Sequence, residues 1–213
     1  TEQTMKKGLF ITIEGPDGSG KSTQIERLKA YFEEKGYPAV FTREPGGTAI
    51  SEKIRALILD RENKNMAHMT EALLYAASRA QLVVEVIEPA LRRGEIVICD
   101  RFLDSSIAYQ GYGRELGDCV REINEYAVQG RLPDLTLLMK LDPQAGKARM
   151  KQRDLDRIED EKQAFHRRVY EGYLQIERTY DRVVGVDADE SIEAISATII
   201  KHIEALMRER GFL

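Results

Sequence analysis

Residues 15–22 read Gly15-Pro16-Asp17-Gly18-Ser19-Gly20-Lys21-Ser22 and fit G-x-x-x-x-G-K-[ST], the pattern of a loop that binds phosphate groups. Such a loop needs glycine because its backbone must curl until successive N–H groups point at phosphate oxygens, and a Cβ would obstruct that curl. The lysine of the pattern can reach the β- and γ-phosphates, and the serine hydroxyl can bind Mg²⁺. The stretch therefore predicts a site for a nucleoside triphosphate.

The segments on either side of the loop place it between a strand and a helix. The apolar run 9–13 predicts a buried strand that leads into the loop, and Ile25, Leu28 and Phe32 recur at the spacing of a helix that begins after it. The N-terminus of a helix favours anions because its free N–H groups and its dipole face them. This frame distinguishes a phosphate loop from an ordinary glycine-rich turn.

Strand-like and helix-like segments alternate along the remainder of the chain. Further strands are predicted at 39–41, 96–99, 135–139 and 183–186. Alternation of this kind favours a parallel sheet with helices on both faces. A length of 213 residues suits one well-buried core, so we expect a single α/β domain over residues 1–213.

Loops that follow the predicted strands carry the most distinctive motifs. Besides the phosphate loop, they hold the glycine-rich segment 42–48, the turn at Asp100 and Arg101, and the charged segment 149–161. In an open parallel sheet, ligands bind beyond the carboxyl ends of the strands. These loops are therefore predicted to surround one site.

Composition limits the class of protein. Charged residues make up 32% of the chain but balance to a net charge of −4, so no basic excess indicates nucleic acid or an anionic membrane as the main partner. Cys99 and Cys119 are expected to be free thiols rather than a disulfide. No apolar run approaches the ~18 residues of a membrane-spanning helix, and we expect a cytoplasmic location.

Five motifs of the chain can be compared with known families. In chain order they are Gly15-Pro16-Asp17-Gly18-Ser19-Gly20-Lys21-Ser22-Thr23, Thr42-Arg43-Glu44-Pro45-Gly46-Gly47-Thr48, Asp100-Arg101-Phe102, Ser105-Ser106-Ile107-Ala108-Tyr109-Gln110-Gly111 and Asp156-Arg157-Ile158-Glu159. Together they resemble the thymidylate kinase family of nucleoside monophosphate kinases, and the second and fourth are distinctive of its bacterial branch.

The resemblance implies the three-layer P-loop nucleoside monophosphate kinase fold, with a five-stranded parallel sheet and a mobile lid at about residues 147–161. It also implies transfer of the γ-phosphoryl group of ATP to dTMP, which gives dTDP for dTTP synthesis, with Mg²⁺ as cofactor and a homodimer as the assembly. Because two polyanions must meet in line, catalysis of this kind consists mostly of charge neutralisation and positioning.

Residues that match the family motifs are assigned to the donor side as follows. ATP is expected to bind to the loop residues Gly15, Pro16, Asp17, Gly18, Ser19, Gly20, Lys21, Ser22 and Thr23, with Arg149 at the adenine side. Ser22 and Asp100 are expected to hold Mg²⁺, Asp100 through water. The expected catalytic residues are Lys21, Asp17, Arg101 and Arg153.

On the acceptor side, the resemblance places Arg43 and Arg101 on the dTMP phosphate and Asp17 on the sugar 3′-hydroxyl. Tyr75 and Arg79 lie at i and i+4 on one helix face, and the family uses this pair to stack on the base and bind its carbonyl. Tyr75 stands where phenylalanine is commoner, which leaves an aromatic platform intact. The expected substrate contacts are completed by Ser105, Tyr109 and Gln110, with Tyr109 against the sugar 2′ position and Gln110 at the base edge.

The lid assignment depends on one departure between two branches of the family. The eukaryotic type has an arginine directly after the loop carboxylate, and here that position is Gly18. The bacterial type instead supplies arginines from the lid, and the charged run 149–157 fits that design. Arg153 is the first candidate for the transition-state cation, and Arg157 is a further one. A solvated charged loop is the competing interpretation.

Two other functions remain open from the sequence. A kinase for a different nucleoside monophosphate would share the architecture, and the acceptor it prefers would separate the two. A GTPase-like switch is a different class, but its guanine-reading pattern N-K-x-D is missing. The nearest match, Asn63-Lys64-Asn65-Met66, lacks the aspartate that would bind the guanine amino group.

Overall fold

The computed structural model describes residues 8–150 and 155–213. Five parallel strands form one sheet in the order β2-β3-β1-β4-β5. The strands are β1 Leu9–Glu14, β2 Ala39–Arg43, β3 Ile96–Asp100, β4 Leu135–Lys140 and β5 Val183–Asp187. All five predicted strands are confirmed, and each observed strand extends one or two residues further at its carboxyl end.

Helices connect the strands. They are α1 Lys21–Lys35, α2 Ala49–Leu59, α3 His68–Leu82, α4 Glu88–Arg92, α5 Leu103–Ser106, α6 Cys119–Val128, α7 Pro143–Met150, α8 Gln163–Thr179 and α9 Ile192–Glu209. Two π-helical stretches, Val83–Ile87 and Ile107–Gly113, follow α3 and α5 without a break.

Apolar cores on the two faces of the sheet produce the three layers. β1 is buried along its whole length, as expected of a central strand covered on both faces. Its side chains alternate between the layers, so that Phe10 joins a core with helix α8, whereas Leu9 and Ile11 join a core with α1 and α9. The predicted α/β fold with helices on both faces of a parallel sheet is thereby confirmed.

Helix α3 widens into the π-helical stretch Val83–Ile87, and Pro89 lies in the first turn of α4 directly after it. Proline lacks an N–H and its ring crowds the preceding turn, and a wider turn accommodates it.

The segment 103–113 is helical, a feature that the sequence pattern does not predict. All of its residues except Tyr112 are buried, so it shows no alternation of polar and apolar faces from which a helix could be inferred. The segment places Ser105 and Tyr109 at the carboxyl end of β1 and the loop after it, and Gln110 against α3.

Within 8–150 and 155–213, none of the helices combines the length and the apolar character that crossing a bilayer requires.

Candidate functional site

A cavity of about 500 Å³ lies beyond the carboxyl ends of β1, β2 and β3. The predicted site residues that line it are Asp17, Gly18, Gly20, Lys21, Ser22, Thr23, Arg43, Tyr75, Arg79, Asp100, Arg101, Ser105, Tyr109, Gln110 and Arg149. Residues predicted from four separate motifs are thus brought to one edge of the sheet. Arg153 lies outside the described residues.

The phosphate loop has the backbone that its glycines were predicted to allow. Gly15, Gly18 and Gly20 have φ values of 143°, 77° and 90°, in the region that side chains disfavour. Helix α1 then begins at Lys21, so that its free N–H groups face the cavity. The Lys21 Nζ donates to the carbonyl oxygens of Gly15 at 3.0 Å and Pro16 at 3.1 Å.

Burial lowers the pKa of Lys21 to about 8, and the positive charge of Arg101 acts in the same direction. The carboxylates of Asp100, Asp17 and Glu14 oppose this shift without cancelling it. Lys21 is therefore mostly protonated at neutral pH. Because its pKa lies only slightly above neutral pH, anions bound in the cavity would change the pH at which it loses its charge.

We expect kcat/KM for ATP to fall as the pH rises through about 8, because Lys21 of the free enzyme loses there the charge that the phosphates need. Bound phosphates favour the protonated amine, so the corresponding fall in kcat should occur at higher pH. Steady-state profiles at saturating dTMP, from about pH 6 to about pH 10, would show the two separated breaks. A kcat/KM profile that stays flat across this range would contradict the assignment.

Arg101 and Asp17 form a mostly buried ion pair beside the phosphate loop. The Arg101 Nη2 lies 2.7 Å from the Asp17 Oδ1, and the Tyr109 hydroxyl donates to the Asp17 Oδ2 at 2.7 Å. Burial favours a protonated Asp17, but the charges of Arg101 and Lys21 outweigh it and lower the pKa of Asp17. The cavity thus holds a fixed pair of opposite charges beside the phosphate loop.

Arg101 adopts a left-handed backbone conformation with φ of 65°, which is uncommon for a residue other than glycine. Its N–H donates to the carbonyl oxygen of Ile13 at 2.9 Å, and its Nη1 donates to Gly15 O, Ser105 Oγ and Tyr173 Oη within 3.1 Å. Such strain persists only where surrounding contacts impose it, as they do here.

Glu14, at the end of β1, supports this turn from below. It is fully buried and accepts hydrogen bonds from Phe102 N, from the N and Oγ of Ser105, and from Tyr173 Oη. Burial and the nearby Asp104 raise the pKa of Glu14 above its ordinary value. Arg101 and these hydrogen bonds act in the opposite direction but do not cancel the shift. The carboxylate joins β1 to the segment that carries Arg101, which makes it a structural support for the site.

The oxygen atoms of Asp100 and Ser22 fit a magnesium site. Asp100 lies at the carboxyl end of β3. Its Oδ1 is buried and has no hydrogen-bond partner among the described residues. Ser22 lies in the first turn of α1 and is exposed to the same cavity. Mg²⁺ prefers oxygen ligands and usually retains water and substrate phosphates. Within 8–150 and 155–213, no group of three or more acidic, histidine or cysteine side chains is arranged to hold a metal ion.

The end of β2 and helix α2 add two further cations, Arg43 and Arg55. Both Glu52 oxygens accept from the exposed Arg43 Nη2, at 2.8 Å and 2.9 Å, so that Arg43 is held at the cavity wall by a surface pair. Arg55 also lines the cavity and donates to the carbonyl oxygen of Pro45 at 2.9 Å. Thr48 caps α2 by accepting from Ser51 N.

Tyr75 and Arg79 lie on the same side of α3, with Tyr75 half-buried and Arg79 1% exposed. The Arg79 guanidinium donates to Glu44 Oε2, Ser106 Oγ, Asn124 Oδ1 and the Phe102 carbonyl oxygen. Because these partners surround the guanidinium of Arg79, a base in the cavity could contact Arg79 only at the edge of the guanidinium that faces the cavity.

Glu44 holds Arg79 from the end of β2. Burial raises the pKa of Glu44 to about 7, against the lowering effect of the Arg79 charge. The Glu44 Oε1 has no hydrogen-bond partner within the described ranges. Glu44 thus fixes the guanidinium through one oxygen while the other stays without a protein partner.

Candidate lid arginines lie in different environments. Arg149, at the end of α7, donates to the carbonyl oxygen of Ala188 at 3.1 Å and pairs with Asp189, both in the β5–α9 loop. Arg157 is 9% exposed and turns away from the phosphate loop, because its Nη2 lies 2.8 Å from the Glu71 Oε2. Arg157 therefore anchors the segment after residue 154 to α3.

Backbone contact between Gly18 and Gly146 seats α7 on the phosphate loop. A Cβ on Gly18 would meet the carbonyl oxygen of Gly146, and a Cβ on Gly146 would lie 2.5 Å from the carbonyl oxygen of Asp17. Position 18 therefore has no room for an arginine while α7 keeps this place.

Several residues at the site were missed by sequence reasoning. These are Glu14, Glu44, Arg55, Glu71 and Tyr173. Glu44 lies inside the quoted motif 42–48, so that motif could have identified it as a site residue. Glu14, Glu71 and Tyr173 have partners far along the chain, and no local pattern identifies them. Arg55 contacts the nearby Pro45, but it belongs to none of the quoted motifs.

Comparisons with known proteins point to one family. The sequence profile of the family described as thymidylate kinase matches residues 13–199. A thymidylate kinase of Exiguobacterium sp. is 51% identical over 207 residues, which cover 96% of this chain and 98% of the relative. One from Bacillus cytotoxicus is 52% identical over 204 residues, with 93% and 98% covered. The crystal structure of thymidylate kinase from Ehrlichia chaffeensis has a TM-score of 0.76 and 32% identity, covering 93% of this chain and 99% of that one.

Proposed function

Since this chain belongs to the thymidylate kinase family and has the phosphotransferase activity of that family, we propose how its residues move the γ-phosphoryl group of ATP to dTMP. One observation carries the proposal: the phosphate loop and the Arg101–Asp17 pair open into the same cavity. Donor and acceptor phosphates can therefore meet within a single site, as in-line transfer requires.

The donor side consists of the phosphate loop and Lys21. Backbone N–H groups of the loop and of the first turn of α1 bind the phosphates, and Lys21 leaves the carbonyl oxygens of Gly15 and Pro16 to reach the β- and γ-phosphates. Mg²⁺, when bound by Ser22 and Asp100 together with the phosphates, would neutralise charge on the donor. Arg149 lies beside the β5–α9 loop, where it can cover the adenine.

The acceptor side consists of two arginines and a carboxylate. Arg101 and Arg43 bind the dTMP phosphate, while Asp17 accepts a hydrogen bond from the sugar 3′-hydroxyl. Tyr109 holds Asp17 through its other oxygen and closes the space beside the sugar. Tyr75 stacks on the base, with Arg79 and Gln110 at its edges.

Charge that bridges the two phosphates needs a further cation, which we assign to Arg153. Gly18 cannot supply it, because α7 leaves no room for a side chain at that position. Arg157 is committed to Glu71, and Arg149 pairs with Asp189. Arg153 is the remaining arginine of the run that resembles the lid of the bacterial enzymes.

Replacing Arg153 with alanine is expected to lower kcat by at least about tenfold with little change in either KM, because a cation that engages mainly in the transition state adds little to ground-state binding. Steady-state kinetics with ATP and dTMP each varied would measure the effect. Arg167→Ala is the matched control, since Arg167 is an exposed arginine of α8 that pairs with Asp142. A wild-type kcat for the Arg153 variant would place the bridging cation elsewhere.

Acceptor preference tests the proposed reaction itself. In a coupled assay of ADP formation with ATP and Mg²⁺, dTMP should be a much better acceptor than dCMP, dGMP or dAMP. Equal or better turnover of another monophosphate would assign the chain to that acceptor. ADP formation that does not depend on any acceptor would contradict the assignment of a monophosphate kinase.

We also propose a homodimer formed through α2 and α3. Large apolar side chains on these neighbouring helices are about half exposed, including Ile50 and Leu57 on α2 and Leu73 on α3. Val84 in the adjoining π-helical stretch extends this exposed face. A contiguous apolar face of this kind is typical of an interface with a second copy.

A charge in this face should dissociate the proposed dimer. Leu73→Glu is expected to convert the protein to a monomer, because a carboxylate would lose its water on association without gaining a partner. Sedimentation velocity would measure the change. Leu132→Glu is the matched control, since Leu132 is 52% exposed and Leu73 51% exposed, but Leu132 lies in the loop before β4. A dimeric Leu73 variant, or a monomeric wild type, would contradict this interface.

A further inference from the structure

Glu71 is a buried carboxylate at the back of the substrate cavity. It lies in the first turn of α3, is 0% exposed, and accepts hydrogen bonds from three side chains. Arg114 donates through Nε at 3.1 Å and Nη2 at 3.0 Å, Arg157 through Nη2 at 2.8 Å, and Gln110 through Nε2 at 2.9 Å. Neither the phosphate loop nor the arginines of the acceptor phosphate are among its partners.

Glu71 is held in its ionised form. Burial favours the protonated acid, but the hydrogen bonds and the charge of Arg114, with the hydrogen bonds of Gln110 and Arg157, outweigh it and lower the pKa of Glu71. Glu161 pairs with Arg114 on its other side, so two carboxylates and two guanidinium groups balance each other. An ionised carboxylate has acceptor sites only.

This chemistry dictates which end of the Gln110 amide faces Glu71. A side-chain amide can usually turn over, because its oxygen and nitrogen occupy nearly the same space. Opposite an ionised carboxylate it cannot, because the amide oxygen would then meet the oxygen of Glu71. Gln110 is 1% exposed and lines the cavity, so its carbonyl oxygen is the acceptor that it can offer to a ligand there.

We propose that Glu71 sets base selectivity by fixing the Gln110 amide so that its carbonyl oxygen accepts from the ring N3–H of thymine. This inference rests on the proposed function, in which Gln110 contacts the base. Thymine carries a hydrogen on N3, whereas N3 of cytosine is an acceptor. A fixed carbonyl oxygen forms a hydrogen bond with the first and repels the second, and buried polar groups left unpaired in this way discriminate strongly. Glu71 is thus a positioning residue that acts through Gln110.

Replacing Glu71 with glutamine tests the proposal with almost no change in shape. The new amide can turn either a donor or an acceptor toward Gln110, so both orientations of Gln110 become possible. We expect the ratio of kcat/KM for dTMP to that for dCMP to fall by about tenfold or more. The ratio for dTMP to dUMP should stay constant, because both bases carry the same N3–H.

Glu161→Gln is the matched control, because it neutralises the other carboxylate of the cluster and leaves Glu71 opposite Gln110, paired with Arg114 and Arg157. A general loss of packing would lower turnover of dTMP and of dCMP by similar factors in both variants. Only the proposed role predicts that Glu71→Gln lowers the ratio of kcat/KM for dTMP to that for dCMP while the control variant does not. If Glu71→Gln does not fold, the double variant with Arg114→Met removes one charge of each sign and keeps the cluster neutral. The same fall in the dTMP to dCMP ratio is expected for it.

The outcomes separate this inference from the proposed function. A wild-type enzyme that prefers dTMP, together with a Glu71→Gln variant of unchanged dTMP to dCMP ratio, would overturn the role of Glu71 alone. A wild-type enzyme without preference for dTMP would overturn the proposed base site, and with it this inference. A ratio that falls equally in Glu161→Gln would show that the cluster acts through general packing and would also overturn the role of Glu71.

Discussion

Replacing Lys21 with methionine is expected to reduce kcat/KM for ATP by on the order of 10³-fold, which is the loss seen when a preorganised donor to developing charge is removed. The amine donates to two carbonyl oxygens of the phosphate loop, from which we propose that it reaches the donor phosphates, and no other lysine lines the cavity within the described residues. Because the charge matters most as the γ-phosphoryl group transfers, kcat should fall more than KM rises.

The fold should tolerate this replacement, since burial already disfavours the charged form of Lys21 and methionine matches its length. Circular dichroism and thermal unfolding would verify that the variant is folded. Lys29→Met is the matched control, because Lys29 lies on the same helix outside the cavity, where it pairs with Glu26 and lies 6.0 Å from the centre of the Phe41 ring. A folded Lys21 variant with near-normal turnover would refute the assigned role.

Replacing Arg101 with lysine is expected to lower kcat/KM for dTMP by about 10²-fold or more, although the positive charge is retained. One guanidinium contacts Asp17 and Tyr109 through Nη2 and holds Gly15, Ser105 and Tyr173 through Nη1. An ammonium group cannot span both sets of partners. The acceptor phosphate would therefore lose a bidentate partner, and Asp17 would lose its fixed orientation.

Comparing KM for dTMP with KM for ATP tests this prediction. KM for dTMP should rise and kcat should fall in Arg101→Lys, whereas KM for ATP should change little, since Arg101 faces the acceptor. Arg121→Lys is the matched control, because Arg121 forms an exposed pair with Asp118 on α6. Equal effects on both KM values would indicate that Arg101 only supports the phosphate loop through Gly15.

The parts of the fold that local sequence determines were predicted well. Each strand is a short apolar run, and the turn of the phosphate loop follows from glycine alone, so neither depends on distant partners. The buried segment 103–113 was not predicted, because a helix surrounded by protein on all sides has no polar face. Its residues could be named only through the family motif.

Residues of the candidate site were predicted where a motif carries them and missed where only the tertiary structure does. Arg79 was identified on its helix face, but its burial depends on Glu44 and Asn124, which are 35 and 45 residues away in the chain. Arg157 illustrates the opposite case. It was considered as a lid cation because it lies in a charged run, and its partner Glu71, 86 residues away, binds it at the back of the cavity.

The contact between Gly18 and Gly146 has an evolutionary consequence. Two peptide backbones touch there without side chains, so a larger residue at either position would push α7 off the phosphate loop. A lineage of this enzyme therefore cannot acquire a loop arginine at position 18 by one substitution while it keeps its helix in place. With Arg153 in its proposed role, a loop arginine and a lid arginine are alternatives that this backbone contact separates, and a change from one to the other requires the loop and α7 to change together.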